Sequence, residues 1–246
     1  MSVGPGAAPL DLSIIVPALN EEARLPNAIA GLRGYLDSIP TRAEVLIVEN
    51  GSTDGTLAIA QKAAHADRRF QAIHLPHRGK GQAIRAGVKA SGGHTVVLCD
   101  ADFSMPVEEI ALLRRTIEAG ADIAIGSREA PGARRLGEPA YRHLMGRVFN
   151  GLVRLIAVSG LEDTQCGFKA FRGNVARDLF ARQRIDGWAF DVEVLFLAVR
   201  SGYTIREVPI TWRYDPSSRV RPVRDTIAMM RELIAIRRNA MRGLYG

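Results

Sequence analysis

Cysteine is scarce in this chain: 246 residues hold two, Cys99 and Cys166, each inside an apolar or glycine-bearing segment. Neither a disulfide framework nor a zinc site can be built from that pair, and a reducing cytoplasm is the expected setting. Long apolar runs are missing as well. None approaches the roughly 18 residues that a membrane span requires, and the N-terminus lacks the charged and apolar regions of a signal peptide. Glycine/serine linkers, low-complexity tracts and repeats of fixed period are absent, which favours one large domain over a string of small ones. Histidines number five (His65, His74, His77, His94, His143) and show no convincing paired base. Aromatic residues make up 6% and are not interleaved with the basic ones, so the positive charge carries no signature of a nucleic-acid binding module.

What the chain does have is core. Hydrophobic residues make up 47% of the sequence, enough for a substantial interior. The formal charge of +7 points to an anionic partner such as a phosphorylated substrate or an acidic membrane surface, although a soluble enzyme with many arginines has the same balance. Apolar runs at 12–16, 44–48, 70–75, 95–99 and 122–126 predict buried strands. Helical patterns lie between them: Leu25, Ile29, Leu32 and Leu36 recur on one face, and Pro106 followed by Glu108 and Glu109 predicts a helix opening. This alternation implies βαβ units and a largely parallel α/β sheet. Further on, the pattern predicts helices over 139–158, around 190–200 and over the last twenty residues or so, with a strand in "TIREVPITW". Residues 1–9 are expected to be a disordered tail.

Ligands of such sheets bind at the carboxyl ends of the strands. There, "VVLCDADFSMP" places Asp100 and Asp102 two apart, so that both side chains leave the strand end in one direction. Like charges that close repel unless a cation intervenes, and a hard Mg²⁺ or Mn²⁺ completed by phosphates and water is the economical solution. An ordinary loop aspartate followed by a helix cap fits the dipeptide equally well. "ENGSTDGT" ends another strand with Glu49 and Asn50, a donor and acceptor edge suited to a nucleobase. "HRGKGQAIRAG" is neither of the usual phosphate loops: Gly81 follows Lys80 where a P-loop needs Ser or Thr, and Ile84 stands where the dinucleotide fingerprint needs a small residue.

Taken together, "VPALNEE", "VENGSTDGT", "DAD" and "GSR" resemble the motifs of the inverting nucleotide-sugar glycosyltransferases of family two, which have the Rossmann-like GT-A fold. The resemblance runs from Ile14 to about Val220. "DTQCGFKAF", "GWAFDVE" and "EVPITW…SSRV" are similar to the dolichyl- and polyprenyl-phosphate glucosyltransferases in particular. That likeness implies a GT-A domain over 10–221 and a C-terminal amphipathic helix over 222–246. It implies that Pro17, Leu19, Glu21, Glu49, Asn50, Lys80, Asp100 and Ala101 form the nucleotide pocket, and that Asp100 and Asp102 hold Mg²⁺ or Mn²⁺. It assigns catalytic roles to Asp102, Arg128, Asp163 and Arg219, and the acceptor phosphate to Arg142, Arg213 and Arg219. Three residues depart from the mannosyl branch: Leu19 for an aromatic, Glu49-Asn50 for paired aspartates, and Ser104 for a metal-ligating Gln.

The implied reaction moves a hexose, glucose from a uridine diphosphate (UDP) donor, to polyprenyl phosphate with inversion. A mannosyl enzyme using a guanosine diphosphate donor and a non-catalytic nucleotide-sugar binding module are the alternatives. A phosphate monoester acceptor is mostly dianionic at neutral pH, so it needs placing more than deprotonating. Lys169, Arg172, Arg213, Arg219 and Arg221 are the available cations of the second half, and Asp191 and Glu193 read as acids compensating a helix dipole. Trp188 and Phe190 are expected in the core. The last helix, with Val223, Ile227, Met230 and Ile234 on one face and arginines around it, suits the inner face of a membrane, and packing on its own domain accounts for the same pattern.

Overall fold

Apolar runs of the first half become strands that, apart from the edge strand at 70–75, are covered on both faces. The computed structural model describes residues 10–158, 160–215 and 222–245, so the expected tail at 1–9 lies outside the described residues. The first half alternates β1 (Leu12–Ala18), α1 (Leu25–Ser38), β2 (Ala43–Asn50), α2 (Thr56–Ala66), β3 (Phe70–Leu75), α3 (Lys80–Ala90), β4 (Thr95–Leu98), α4 (Ile110–Glu118) and β5 (Ile123–Ser127). The second half adds β6 (Arg134–Leu136), α5 (Ala140–Ile156), β7 (Lys169–Arg172), α6 (Gly173–Arg182), α7 (Phe190–Arg200), β8 (Ile205–Pro209), β9 (Thr211–Arg213) and α8 (Pro222–Met241).

Seven strands form one sheet in the order β3-β2-β1-β4-β7-β5-β8, and β6 pairs with β9 in a small second sheet. The expected mostly parallel α/β sheet is present. One strand, β7, runs antiparallel between β4 and β5, which the βαβ alternation did not anticipate. Successive β1 residues serve opposite cores: Ile15 packs with the α3, α6 and α7 side, while Leu12, Ile14 and Val16 pack with the α1 and α4 side. Leu25, Ile29, Leu32 and Leu36 are all buried on α1, as their spacing predicts. Close approach of α3 to the sheet depends on a missing side chain, since a Cβ on Gly87 would lie 2.5 Å from Ile15 Cγ2 and 3.1 Å from Val48 Cγ2.

The C-terminal helix departs from its expected apolar face at Ile234, while Met230 packs against the core as expected. Leu233 and Ile236 are fully buried with Tyr245 just beyond the helix, whereas Ile234 is 61% exposed. The side chains of Val223 and Ile227 lie outside those described. A stripe at 230, 233 and 236 faces α7, because the partner surface rather than the helix's own hydrophobicity selects which side is covered. Among the described residues no helix is long and apolar enough to cross a membrane.

Gly87→Ala forces a methyl group into contact with Ile15 and Val48, and overpacking of this kind costs about 1–3 kcal/mol. Urea unfolding should show that loss with an unchanged m-value, and an unaltered midpoint would contradict the packing described here.

Candidate active site

The carboxyl end of β4 carries Asp100 and Asp102 out of the core into a turn. Phe103 takes φ +45°, a conformation that a bulky residue adopts only under strong constraint. The turn is closed by Ser104 N donating to Asp102 Oδ1 at 3.1 Å. Lys80, at the first position of α3, places its Nζ 2.6 Å from Asp100 Oδ1 and 5.3 Å from the centroid of the Trp188 ring. Burial works against the Lys80 ammonium, and the charges of Asp100 and Asp191 more than offset it, so its pKa is raised. Burial, then the neighbouring Asp100 charge, pushes Asp102 above the ordinary carboxylate range.

Gly167 explains how the glycine in "QCGFK" serves this corner. A Cβ there would lie 2.2 Å from Asp100 Oδ2, so only glycine allows the chain entering β7 to pass so close to that carboxylate. Two residues later, Lys169 is 1% exposed. Its Nζ donates to Asp191 Oδ1 at 2.7 Å and to the Cys166 carbonyl. Lys169, counted among the available cations of the second half, does not face an acceptor phosphate: its ammonium is enclosed and neutralised by Asp191. Asp191 in turn is a wall of the pocket, not merely an acid at a helix start.

That pocket, about 360 Å³, is lined by Lys80, Asp100, Asp102, Arg128, Arg142 and Asp191, with Trp188, Trp212 and Tyr214 as aromatic walls. Trp188 is 43% exposed, contrary to the expectation of a core position, while Phe190 is 1% exposed as expected. The difference arises because Phe190 begins α7 and Trp188 still belongs to the preceding loop. The Trp212 ring centroid lies 5.4 Å from Arg128 Cζ and 5.9 Å from Arg135 Cζ. Arg142 stacks on Tyr214 at 5.3 Å.

Arg128 is held in a fork by Asp163, with Nε to Oδ2 at 2.7 Å and Nη2 to Oδ1 at 2.8 Å. Burial opposes the Asp163 charge, but the guanidinium and its hydrogen bonds prevail and hold the carboxyl at about 2. Asp163, to which the resemblance assigned a catalytic role, thus stands behind Arg128, is 3% exposed and does not line the pocket.

The expected nucleotide residues divide into two groups. Lys80 and Asp100 line the pocket, and Ala101 is buried beside them. Glu49 is 1% exposed and receives hydrogen bonds from Ser52 N and His74 Nδ1. Burial raises its pKa, but these bonds outweigh it and the net shift is downward. Asn50 is buried, and with its amide turned to suit both neighbours it donates to Ala18 O at 3.0 Å and accepts from Gly79 N at 3.1 Å. It ties β1 to the turn before Lys80. Glu21 holds Arg24 at 2.6 Å, and Arg24 reaches Asp215 at 2.9 Å. Pro17 and Leu19 are half-buried at the end of β1.

Of the expected acceptor residues, Arg142 lines the pocket. Arg213 has an exposed side chain and contributes its backbone N to Ser104 O at 2.6 Å. Arg219 and Arg221 lie outside the described residues. Lys169, Asp191, Arg135 and Trp212 are the residues that sequence reasoning missed or misread. A lysine inside the apolar stretch "CGFKAF" was the one available signal, because a buried ammonium requires a carboxylate.

As a metal site the corner has two carboxylate side chains and, among the described residues, no cluster of three or more metal-binding side chains. Hard oxygen donors, mutual repulsion and the upward shift of Asp102 suit a divalent cation whose remaining ligands are water and substrate oxygens.

The family model described as glycosyl transferase family 2 matches residues 13–180. The Drosophila melanogaster dolichyl-phosphate beta-glucosyltransferase is 35% identical over 246 residues, covering 92% of this chain and 74% of that protein. The Homo sapiens dolichyl-phosphate beta-glucosyltransferase is 32% identical over 249 residues, covering 95% and 77%. Among solved structures, Mycobacterium tuberculosis glucosyl-3-phosphoglycerate synthase, in complex with Mn²⁺, UDP-glucose and phosphoglyceric acid, superposes with TM-score 0.65. It covers 92% of this chain and 78% of its own at 20% identity, a likeness of fold alone.

Asp163 titrates in the folded protein at about 2 against an ordinary 3.8. Its stabilising contribution is therefore complete above about pH 4 and is lost as pH falls through 2. Asp163→Asn should remove about 3 kcal/mol at neutral pH, leaving Arg128 without its counter-charge, and should flatten the acid limb of stability against pH. Urea unfolding measured across that range checks this, and an acid limb identical to that of the unaltered protein would refute it.

Proposed function

The chain belongs to glycosyl transferase family 2, and from that premise we propose that it transfers glucose from UDP-glucose to the phosphate of a polyprenyl or dolichyl phosphate, with inversion. The observation that carries this reading is the pocket itself. Paired carboxylates, Lys80, Arg128 and Arg142 face one space beside aromatic walls, a combination suited to a diphosphate, a hexose and a second phosphate. The names of the fly and human relatives support the acceptor, and the UDP-glucose complex of the structural neighbour is compatible with the donor.

The protein's own groups divide the work by charge. Negative charge builds on the departing diphosphate in the transition state. Arg128, fixed by Asp163, is a preorganised cation for it, so no reorganisation is needed as the bond breaks. Asp100 and Asp102 would hold Mg²⁺ or Mn²⁺, which would supply further neutralisation of the same charge. Asp191, with one oxygen on Lys169, is positioned to accept a sugar hydroxyl beside the Trp188 ring. Arg142, stacked on Tyr214, is available to the acceptor phosphate. Among the described residues no histidine lines the pocket. Exposed Ile234, Met241 and Leu244, with Arg238 and Arg242 beside them, support contact with the cytoplasmic membrane surface.

Purified protein incubated with UDP-glucose or GDP-mannose, a short polyprenyl phosphate and Mn²⁺ should form only the glucosyl lipid. Asp102→Ala should reduce its formation about 10²–10³-fold. Transfer from GDP-mannose alone would replace this reading with the mannosyl one, and donor binding without turnover would replace it with a binding module. Asp191→Asn should raise the KM for UDP-glucose about tenfold and erode discrimination against other UDP-hexoses. Unchanged donor selectivity would remove Asp191 from the sugar site.

A further inference from the structure

The loop that carries Trp188 is braced from outside the pocket by the C-terminal segment. Ala189 is the N-cap of α7 and has no capping side chain of its own. Glu232, one turn before the buried Ile236 of α8, fills that role from another element: its Oε2 accepts from Ala189 N at 2.8 Å. The carboxylate lies so close to the loop that a Cβ on Gly187 would be 1.9 Å from Glu232 Oε1. The absence of a side chain at Gly187 is thus what lets the Glu232 carboxylate approach the loop so closely. The other end of the loop is held by the same segment. Arg184 Nε donates to Leu244 O at 3.0 Å, and Tyr245 OH donates to Glu193 Oε1, whose second oxygen accepts from Ile185 N at 2.8 Å.

From the loop the contacts continue into the pocket. Asp186 O accepts from Gly81 N at 2.9 Å, and Asp186 Oδ1 pairs with Arg85 at 2.6 Å. Both donors belong to α3, the helix that begins with Lys80. Trp188 then covers Lys80, which holds Asp100. Glu232 therefore stands at one end of an unbroken series of contacts, and the pocket carboxylate Asp100 at the other.

We propose that Glu232 is a positioning residue for the donor pocket, capping α7 from α8 and thereby holding Trp188 over Lys80. On this assignment α8 is a strut of the active site, whatever surface its outer face meets. Glu232 touches no substrate and acts only through the 187–189 backbone. The kinetic consequence rests on the glycosyl-transfer reading, and the spectroscopic one does not.

The chain has two tryptophans, so Trp212→Phe leaves Trp188 as a single reporter. In that background Glu232→Ala should shift Trp188 emission to the red and raise its acrylamide quenching about twofold. Glu232→Gln, which keeps an acceptor oxygen for Ala189 N, should fall between the two. With Trp212 restored, Glu232→Ala should weaken UDP-glucose binding and raise its KM about tenfold as Trp188 loses its fixed placement over Lys80, while kcat stays within about twofold. Quenching that is unchanged in both variants, or a fall in kcat with an unaltered KM, would overturn the proposal. If Glu232→Ala fails to fold, the Glu232→Gln quenching decides alone. A quenching change in a protein that transfers no sugar would keep the strut and discard the glycosyl-transfer reading.

Discussion

Two carboxylates are fixed at the carboxyl edge of β4, and their mutual repulsion is the constraint around which the pocket is arranged. β1 and β4 are buried on both faces and cannot yield, so the charges must be offset where they stand. Lys80 offsets Asp100 directly. Asp102 is left with a raised pKa and with a strained residue, Phe103, immediately after it. Local strain and uncompensated charge persist only where the surrounding structure enforces them, and here a well-packed parallel sheet does so.

The antiparallel strand β7 is the second requirement. By running back between β4 and β5 it carries Gly167 past Asp100 and places Lys169 under Asp191. Acids and bases then alternate from Asp100 through Lys80 and Asp191 to Lys169, contributed by the β4 end, α3, α7 and β7, with Asp102 beside Asp100 at the open end. Each of those four alternating charges has an opposite neighbour, which is the condition for keeping ionised groups away from water. Arg128 and Asp163 repeat the arrangement on the far side of the pocket, with Trp212 stacked on the guanidinium. The pocket of this family two chain is therefore a set of neutralised pairs that leaves a small excess of cationic and carboxylate edges facing inward.

Much of the first half was legible in advance. Strands were readable as runs of Val, Ile and Leu, α1 as a stripe at Leu25, Ile29, Leu32 and Leu36, and the ligand edge as the polar residues after each strand. The second half was legible mainly through resemblance to motifs. Its departures share one cause: Lys169, counted among the available cations, is enclosed; Trp188, expected in the core, lines the pocket; and Ile234, expected on the covered face of α8, is exposed. In each case the side chain's environment is supplied by a residue many positions away, such as Asp191 for Lys169, Lys80 for Trp188, and the α7 surface for Leu233 and Ile236.

By itself the sequence determined the βαβ half, the strand-end location of Asp100 and Asp102, and membership of a glycosyltransferase family, because hydrophobic period and short motifs are local properties. Only the tertiary structure decided which charges meet. Arg128 on Asp163, Lys169 on Asp191 and Glu232 on the α7 N-terminus join residues far apart in the chain. Those pairings depend on strand order and on the reversed direction of β7. Neither is written in any local period, since both follow from how buried faces from distant segments are matched against one another.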